Sequence, residues 1–225
     1  MATGAQNTVP HGNFYLAYGK RCFDVALSTV GLLLFGVPMA GVGMLIWLVD
    51  GWPVLFRQKR VGRHARLFTI YKFRTMTNRL VAGSSITVAG DVRITAIGKW
   101  LRRLKLDELP QLLNVLKGDM SFVGPRPDVP GYMDRLQGED TRLLELRPGI
   151  TGLASLVFRN EDTLLARAAD PAEFNDRVLF PEKVRLHWEY MNALSFVSDV
   201  GYILKTMLPG RAQPAPRLVH GTHRP

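Results

Sequence analysis

The sequence predicts an α/β protein: a small, mostly helical domain with a short sheet, preceded by an N-terminal segment that meets a membrane. Three observations carry this reading. From Val25 to Val49 run 25 residues without a charge, enough as a helix to cross a hydrocarbon core of about 30 Å. Further along, apolar residues recur at helical spacing, first Ile97, Leu101 and Leu104, then Leu109, Leu112, Leu113 and Leu116. Between the two, Arg66 to Met76 (RLFTIYKFRTM) alternates in the manner of a short strand.

At 225 residues and 47% hydrophobic, the chain can bury one sizeable core. Residues 1–13 carry no hydrophobic period and are expected to be disordered, as is the proline-punctuated tail 211–225. That leaves a membrane segment over 14–54 and one globular domain over 55–210. The single Cys22 excludes an internal disulfide, and Cys22 with His11, His64, His187, His220 and His223 shows no zinc-type spacing.

The apolar segment is too long for a cleavable signal peptide and lacks a small-residue cleavage site. Pro38 stands near its middle among Gly31, Gly36, Gly41 and Gly43, and an interior proline removes one hydrogen bond and kinks a helix. Basic residues flank both ends, Lys20 and Arg21 before, Arg57, Lys59, Arg60 and Arg63 after, whereas a spanning helix gathers them on one side. Both features fit a broken helix that enters and leaves by one face; a kinked spanning helix is the simpler alternative. Trp47 and Trp52 suit the headgroup level.

The net charge is +10, and between Val61 and Arg126 twelve Lys and Arg stand against four Asp and Glu. So concentrated a field suits a polyanionic substrate, an anionic membrane surface or nucleic acid, with a merely solvated basic face as the bland reading. A nucleic-acid binder has no need of the uncharged run beside it, so nucleic acid is not expected as a partner.

Inside this block lie two adjacent acids, Asp107 and Glu108. Pro110 sits comfortably only in the first turn of a helix, so the acids are expected to open one. A helix N-terminus and nearby guanidinium groups favour the ionised carboxylate, which can attack an electrophile such as phosphorus; an ordinary helix start is the bland alternative. Arg126, held between Pro125 and Pro127, suits a guanidinium aimed at an anion. In a strand Lys72 and Arg74 project from one face, which makes a two-cation claw for phosphates or, less specifically, a polar strand face. Arg102 lies five residues before Asp107.

Around these, Ile94 to Leu106 reads as a helix, Gly118 as the end of the next, and Tyr132 to Leu146 as another. Leu80 to Asp91 is a Gly- and Ser-rich loop expected over the site. The stripe Trp188, Met191, Leu194, Phe196 and Ile203, between His187 and Met207, fits core or membrane surface, with core favoured.

Four blocks in order, KRCFD (Lys20 to Asp24), YKFRTM (Tyr71 to Met76), LDELPQLLNVLKGDMSFVGPRP (Leu106 to Pro127) and RPGITG (Arg147 to Gly152), closely resemble the bacterial sugar transferases called small monotopic phosphoglycosyl transferases. The likeness runs from about Lys20 to Thr206. It implies a re-entrant membrane helix-break-helix, often with Ser-Pro at the break, where this chain has Val37-Pro38 and so lacks the hydroxyl. It implies transfer of a sugar 1-phosphate from a UDP-sugar to undecaprenyl phosphate with release of UMP, as the first membrane step of capsule, O-antigen or exopolysaccharide synthesis. Asp107 is then the nucleophile that carries a phospho-sugar, and Glu108 a metal ligand or proton acceptor. Mg²⁺ is held at Asp107 and Glu108, while Lys72, Arg102, Arg126 and Arg159 hold phosphate charge, with Arg74 beside Lys72. Asp199, in SFVSD, matches a position the family also carries as an acid and is counted with the substrate-binding residues. The chain departs from the frequent family pattern GLAQVNGR at Gly152 to Arg159 (GLASLVFR), where Ser155 replaces glutamine and Phe158 glycine, a difference that bears on substrate choice. The expected location is the bacterial inner membrane with the domain on the cytosolic face, and a homodimer is left open. The rival from another class is a non-catalytic basic membrane module binding anionic lipids, which needs the apolar segment and the charge but not Asp107 beside Glu108.

Overall fold

The computed structural model describes residues 15–77 and 91–208. The expected disordered ends and nearly all of the expected loop at Leu80 to Asp91 lie outside the described residues.

A π-helical turn, Tyr15–Gly19, leads into α1, Lys20–Asp50. This helix is long and apolar enough to cross a membrane, as the uncharged run predicts. It continues through Pro38, so the expected break does not interrupt the helix. Polar residues near its start are buried on the domain, Lys20, Asp24 and Ser28, and so is Ile46 near its end. Gly31 lies against Leu112, and Gly43 against Val54 and Phe73. The remaining faces of α1 leave large apolar side chains bare, among them Leu33, Leu34, Val37 and Leu48. A soluble protein rarely presents so much contiguous apolar surface to water.

The strands β1 (Leu55–Val61) and β2 (Leu67–Phe73) form an antiparallel pair that sets Phe56 opposite Lys72. The helix α2 (Ala96–Arg103) starts on Thr95, whose hydroxyl accepts from the Gly98 N–H. It stops short of the expected Leu106 because Lys105 turns left-handed, with φ 56°. The acids then lie on a 3-10 helix, Leu106–Gln111, that runs into α3 (Leu112–Lys117), which Gly118 ends at φ 94°. β3 (Ser121–Val123) pairs in parallel with β4 (Gly149–Thr151). Between them the helix expected over Tyr132 to Leu146 is instead two 3-10 pieces, Met133–Arg135 and Gly138–Glu145. Gly138, at φ 59°, cannot continue an α-helix.

Short helices α4 (Leu153–Val157), α5 (Glu161–Arg167) and α6 (Pro171–Phe174) precede α7 (Phe180–Asn192) and α8 (Phe196–Met207). Ser195 and Ser198 form a capping box at the start of α8. The main core gathers Val61, Val123, Met133, Leu143, Leu146, Tyr190, Met191 and Leu194, with Trp188 and Ile203 at its edge. The stripe after His187 therefore packs mainly as core, while Phe196 and Met207 stay exposed. The described chain is thus mostly helical, with small sheets and one long apolar N-terminal helix.

Candidate functional site around Asp107 and Glu108

Three elements bring the acids and cations together. Lys72, at the end of β2, donates from Nζ to Glu108 Oε1 at 2.7 Å. Both side chains are about one-fifth exposed, 20% and 23%. The register behind this contact is set by Asn114 of α3, which is fully buried. Its Nδ2 donates to Thr69 O at 2.8 Å, and its Oδ1 accepts from the Tyr71 N–H at 3.1 Å. Two hydrogen bonds to one strand leave α3 no freedom to slide. At the end of α2, Arg102 Nε donates to Thr75 Oγ1 at 3.0 Å. A Cβ on Gly98 would collide with the Thr75 backbone, so the glycine lets α2 lie directly on the chain leaving β2.

Among the described residues no side chain pairs with the Asp107 carboxylate. Burial and the neighbouring Glu108 push its pKa up, with Lys72 and Arg102 pulling the other way. The expectation that a helix start keeps Asp107 ionised is revised: the 3-10 piece and α3 have six residues each, too short for a strong macrodipole. The cations supply most of the stabilisation, and the backbone N–H of Asp107 itself adds a hydrogen bond. Glu108 is also penalised by burial, but Lys72 and Arg126, with Lys105, outweigh this and hold its carboxyl below the ordinary glutamate value.

Arg126 projects, exposed, from the turn after β3 and senses Glu108 first, then Glu161, Asp128 and Asp162. A Cβ on Gly124 would run into Arg147 O, and one on Gly152 into Gly124 O. The GPRP and RPGITG segments therefore lie backbone against backbone, which explains why both carry glycine there.

Three predicted site residues have other partners. Arg74 is buried and donates from Nη2 to Asp50 O and Gly51 O, at 2.5 and 2.7 Å. It caps the C-terminus of α1, so the expected claw with Lys72 does not form. Arg159 donates to Lys205 O at 2.8 Å and Leu208 O at 3.2 Å, at the end of α8, although Lys105 still feels its charge. A guanidinium fork suits the unpaired carbonyls of a helix end as well as it suits phosphate. Asp199 is 0% exposed. It accepts from Lys20 Nζ at 2.6 Å and the hydroxyls of Tyr15 and Tyr190 at 2.8 and 2.9 Å, so it offers a substrate nothing.

Sequence reasoning missed Asn114, which an amide inside a leucine run could have signalled. It also missed Arg60, Asp128 and Glu161, whose charges lie near Arg126, and Lys183, which pairs with Glu161; none has a local pattern that marks it.

No group of three or more His, Cys, Asp or Glu converges among the described residues, so there is no all-protein cage for a metal. One unpaired carboxylate beside one held by lysine is the donor set Mg²⁺ uses when waters and substrate phosphates complete its shell, so the pair fits that ion.

The described residues join a half-buried carboxylate pair, near Lys72, Arg102, Lys105 and Arg126, to a helix long and apolar enough to cross a membrane. The chain belongs to the bacterial sugar transferase family, whose sequence profile matches residues 15–210. It is 37% identical over 205 residues to galactosyl transferase CpsE of Streptococcus agalactiae, covering 84% of this chain and 41% of that protein. It is 35% identical over 206 residues to the undecaprenyl-phosphate galactose phosphotransferase of Salmonella typhimurium, covering 83% and 39%. A third relative is the UDP-N-acetylgalactosamine-undecaprenyl-phosphate N-acetylgalactosaminephosphotransferase of Aeromonas hydrophila, 42% identical over 145 residues, covering 63% and 34%. The chain thus spans about two-fifths or less of the length of each of these proteins.

Proposed function

We propose that this chain transfers a sugar 1-phosphate from a UDP-sugar to undecaprenyl phosphate, releasing UMP, as the first membrane step of capsule, O-antigen or exopolysaccharide synthesis. The observation that carries the reading is the Asp107 carboxylate, free of any side-chain partner, beside a Glu108 clamped by Lys72 at 2.7 Å. The activities for which the Aeromonas and Salmonella relatives are named support the acceptor and the donor class.

In this reading an Asp107 oxygen attacks the phosphorus that bears the sugar. The bond from that phosphorus to the bridging oxygen breaks, and UMP leaves with the electron pair. An oxygen of the lipid phosphate then attacks the same phosphorus and Asp107 leaves as a carboxylate. Lys72, Arg102 and Arg126 hold the charge on the phosphoryl oxygens. Lys72 also fixes the rotamer of Glu108, which with Asp107 would hold Mg²⁺. When bound, the ion neutralises diphosphate charge.

Two features support a membrane segment that enters and leaves by one face, with the domain on the cytosolic side. Lys20 and Asp24 at the start of α1 are buried on the same domain as Ile46 near its end, whereas a crossing helix would carry one end away from it. The exposed Trp100 on α2, Leu104 just after it, and Phe196 and Val197 on α8 add apolar surface suited to the bilayer boundary. Single cysteines placed at Gly12 and Arg63 in a Cys22→Ser background should both resist labelling from the periplasm; reaction at Gly12 alone means that the helix spans.

The test of the chemistry is a half-reaction. Enzyme, UDP-sugar and Mg²⁺ without lipid should release at most one UMP per site, and the protein should gain the mass of a sugar phosphate on Asp107. UMP that appears only with lipid present, and no adduct, would point to direct transfer in a ternary complex and leave Asp107 as a metal ligand.

A further inference from the structure

Beside the carboxylate pair, Arg60 and Asp128 bring together a donor and an acceptor that do not satisfy each other. Arg60, near the end of β1, donates from Nη2 to Gln58 Oε1 at 2.6 Å and from Nη1 to Pro127 O at 3.1 Å. The next residue, Val61, donates its N–H to Asp128 O at 2.9 Å. The backbone therefore holds Arg60 and Asp128 side by side in fixed register. Yet Arg60 Nε and Asp128 Oδ2 are both buried without a hydrogen-bond partner among the described residues.

Neighbouring charges do not complete either group. Asp128 faces Lys183, Arg126, Glu161 and Arg60, but Lys183 is already engaged with Glu161 at 2.7 Å. Arg60 faces Arg126, Asp128 and Glu108, which puts the pair on the border of the phosphate-handling site. Burial works against both charges, raising the Asp128 pKa and lowering that of Arg60. A buried donor and acceptor left in this condition cost free energy unless a third group meets both.

The chemistry of that group follows from the pair. A phosphate or carboxylate accepts from Arg60 but is repelled by Asp128; an ammonium has the opposite fault. A hydroxyl accepts from Nε–H and donates to Oδ2 in one contact. We infer that Arg60 and Asp128 form a subsite that reads one ring hydroxyl of the nucleotide sugar, next to Asp107 and Glu108. This deepens the proposed function and rests on a nucleotide sugar being the donor. The hydroxyl belongs either to the transferred sugar or to the ribose, and the two are separable by experiment.

The experiment measures kcat/KM for UMP release and lipid transfer by the parent, Asp128→Ala, Asp128→Asn and Arg60→Gln. Donors are the UDP-sugar that the parent uses best, its single-deoxy hexose analogues and its 2′-deoxyuridine and 3′-deoxyuridine counterparts. With the intact donor, Asp128→Ala should lose about tenfold or more, mostly in KM, because a site built to bond a hydroxyl is left unpaired. Asp128→Asn, which keeps an acceptor oxygen, should recover part of that loss. With one deoxy donor the difference between parent and variant should vanish, and whether that donor lacks a hexose or a ribose hydroxyl identifies the ring. If Asp128→Ala does not fold, Asp128→Asn and Arg60→Gln carry the same comparison. A loss equal for every donor assigns the pair to structure or a buried water and overturns the subsite, as do rates within twofold of the parent throughout. A parent that releases UMP from no UDP-sugar sinks the proposed function and the subsite with it, an outcome distinct from uniform losses in the variants alone.

Discussion

Asp199 and Asp107 are both buried or half-buried acids with a cation at hand, and they live in opposite circumstances. Around Asp199 every strong interaction is made: Lys20 and two tyrosine hydroxyls lie within 2.9 Å, and the side chain is shut off from solvent. Around Asp107 the cations stand near but none pairs with it, and burial with Glu108 pushes its pKa up. A saturated buried carboxylate ties elements together, here the start of α1 to α7 and α8. An unsaturated one is costly to keep, and such cost is commonly found where chemistry is done. The difference lies in direct contact: Asp199 is bonded to a single cation, Lys20, while Asp107 has several cations near it and a bond from none of them.

Substitution can break this contrast. The largest expected effect is at Asp107: Asp107→Asn should lower UMP release and adduct formation by on the order of 10⁴-fold, the scale of losing a group that acts directly in catalysis. Its thermal unfolding should be at or above that of the parent, since the substitution removes a charge that burial and Glu108 both disfavour. If Asp107→Asn instead unfolds the protein while activity per folded molecule persists, the roles of the two acids are reversed.

Next comes Asp199→Ala, which takes from the buried Lys20 its ion-pair partner, leaving Asp24 as its acidic neighbour, and should destabilise the fold by about 3 kcal/mol. Denaturant titration in detergent or nanodiscs measures it. The double variant Lys20→Met/Asp199→Leu should recover part of the loss, because it removes both charges of the pair, while the remainder falls on Asp24, which loses its Lys20 neighbour. No recovery would mean that the tyrosines, not the ion pair, carry the stabilisation.

Arg126→Lys keeps the charge but loses the planar fork, and is expected to slow transfer about tenfold, a loss of about 1.4 kcal/mol. Parent-like rates would reduce Arg126 to a turn residue.

The smallest effects are in pH dependence. Because the Asp107 pKa is raised above 3.8 and the proposed mechanism needs the ionised carboxylate, the acid limb of kcat/KM should lie above the ordinary aspartate value. Arg102→Gln removes a cation that pulls this pKa down and should move the limb to higher pH. Glu108→Gln removes a like charge and should move it lower, in whatever activity remains. The stability contributions have opposite signs. Glu108, depressed below 4.5, stabilises the fold above the unfolded value and loses that as pH falls through its folded pKa. Asp107, raised, favours the folded state at low pH and loses that as pH rises through its folded pKa. Limbs that move together in both variants would mean that Asp107 is not the titrating group.

The sequence by itself determined a good deal. The uncharged run became α1, the alternating Arg66 to Met76 stretch became β2, and Gly118 ended α3, because each rests on local periodicity or local backbone freedom. The adjacency of Asp107 and Glu108 was equally legible, since neighbours in sequence stay neighbours in space. What the sequence could not decide was the partner of each charge. Arg74 reaches back across 24 residues to the end of α1, Arg159 forward across 46 to the end of α8, and Lys20 pairs with Asp199 across 179. Arg60 meets Asp128 only because β1 runs beside the turn after β3. A strand's period says which way a guanidinium points, but phosphate and the bare carbonyls of a helix end are alike to it as acceptors. Which of them it meets is set by the tertiary packing that brings distant elements into contact.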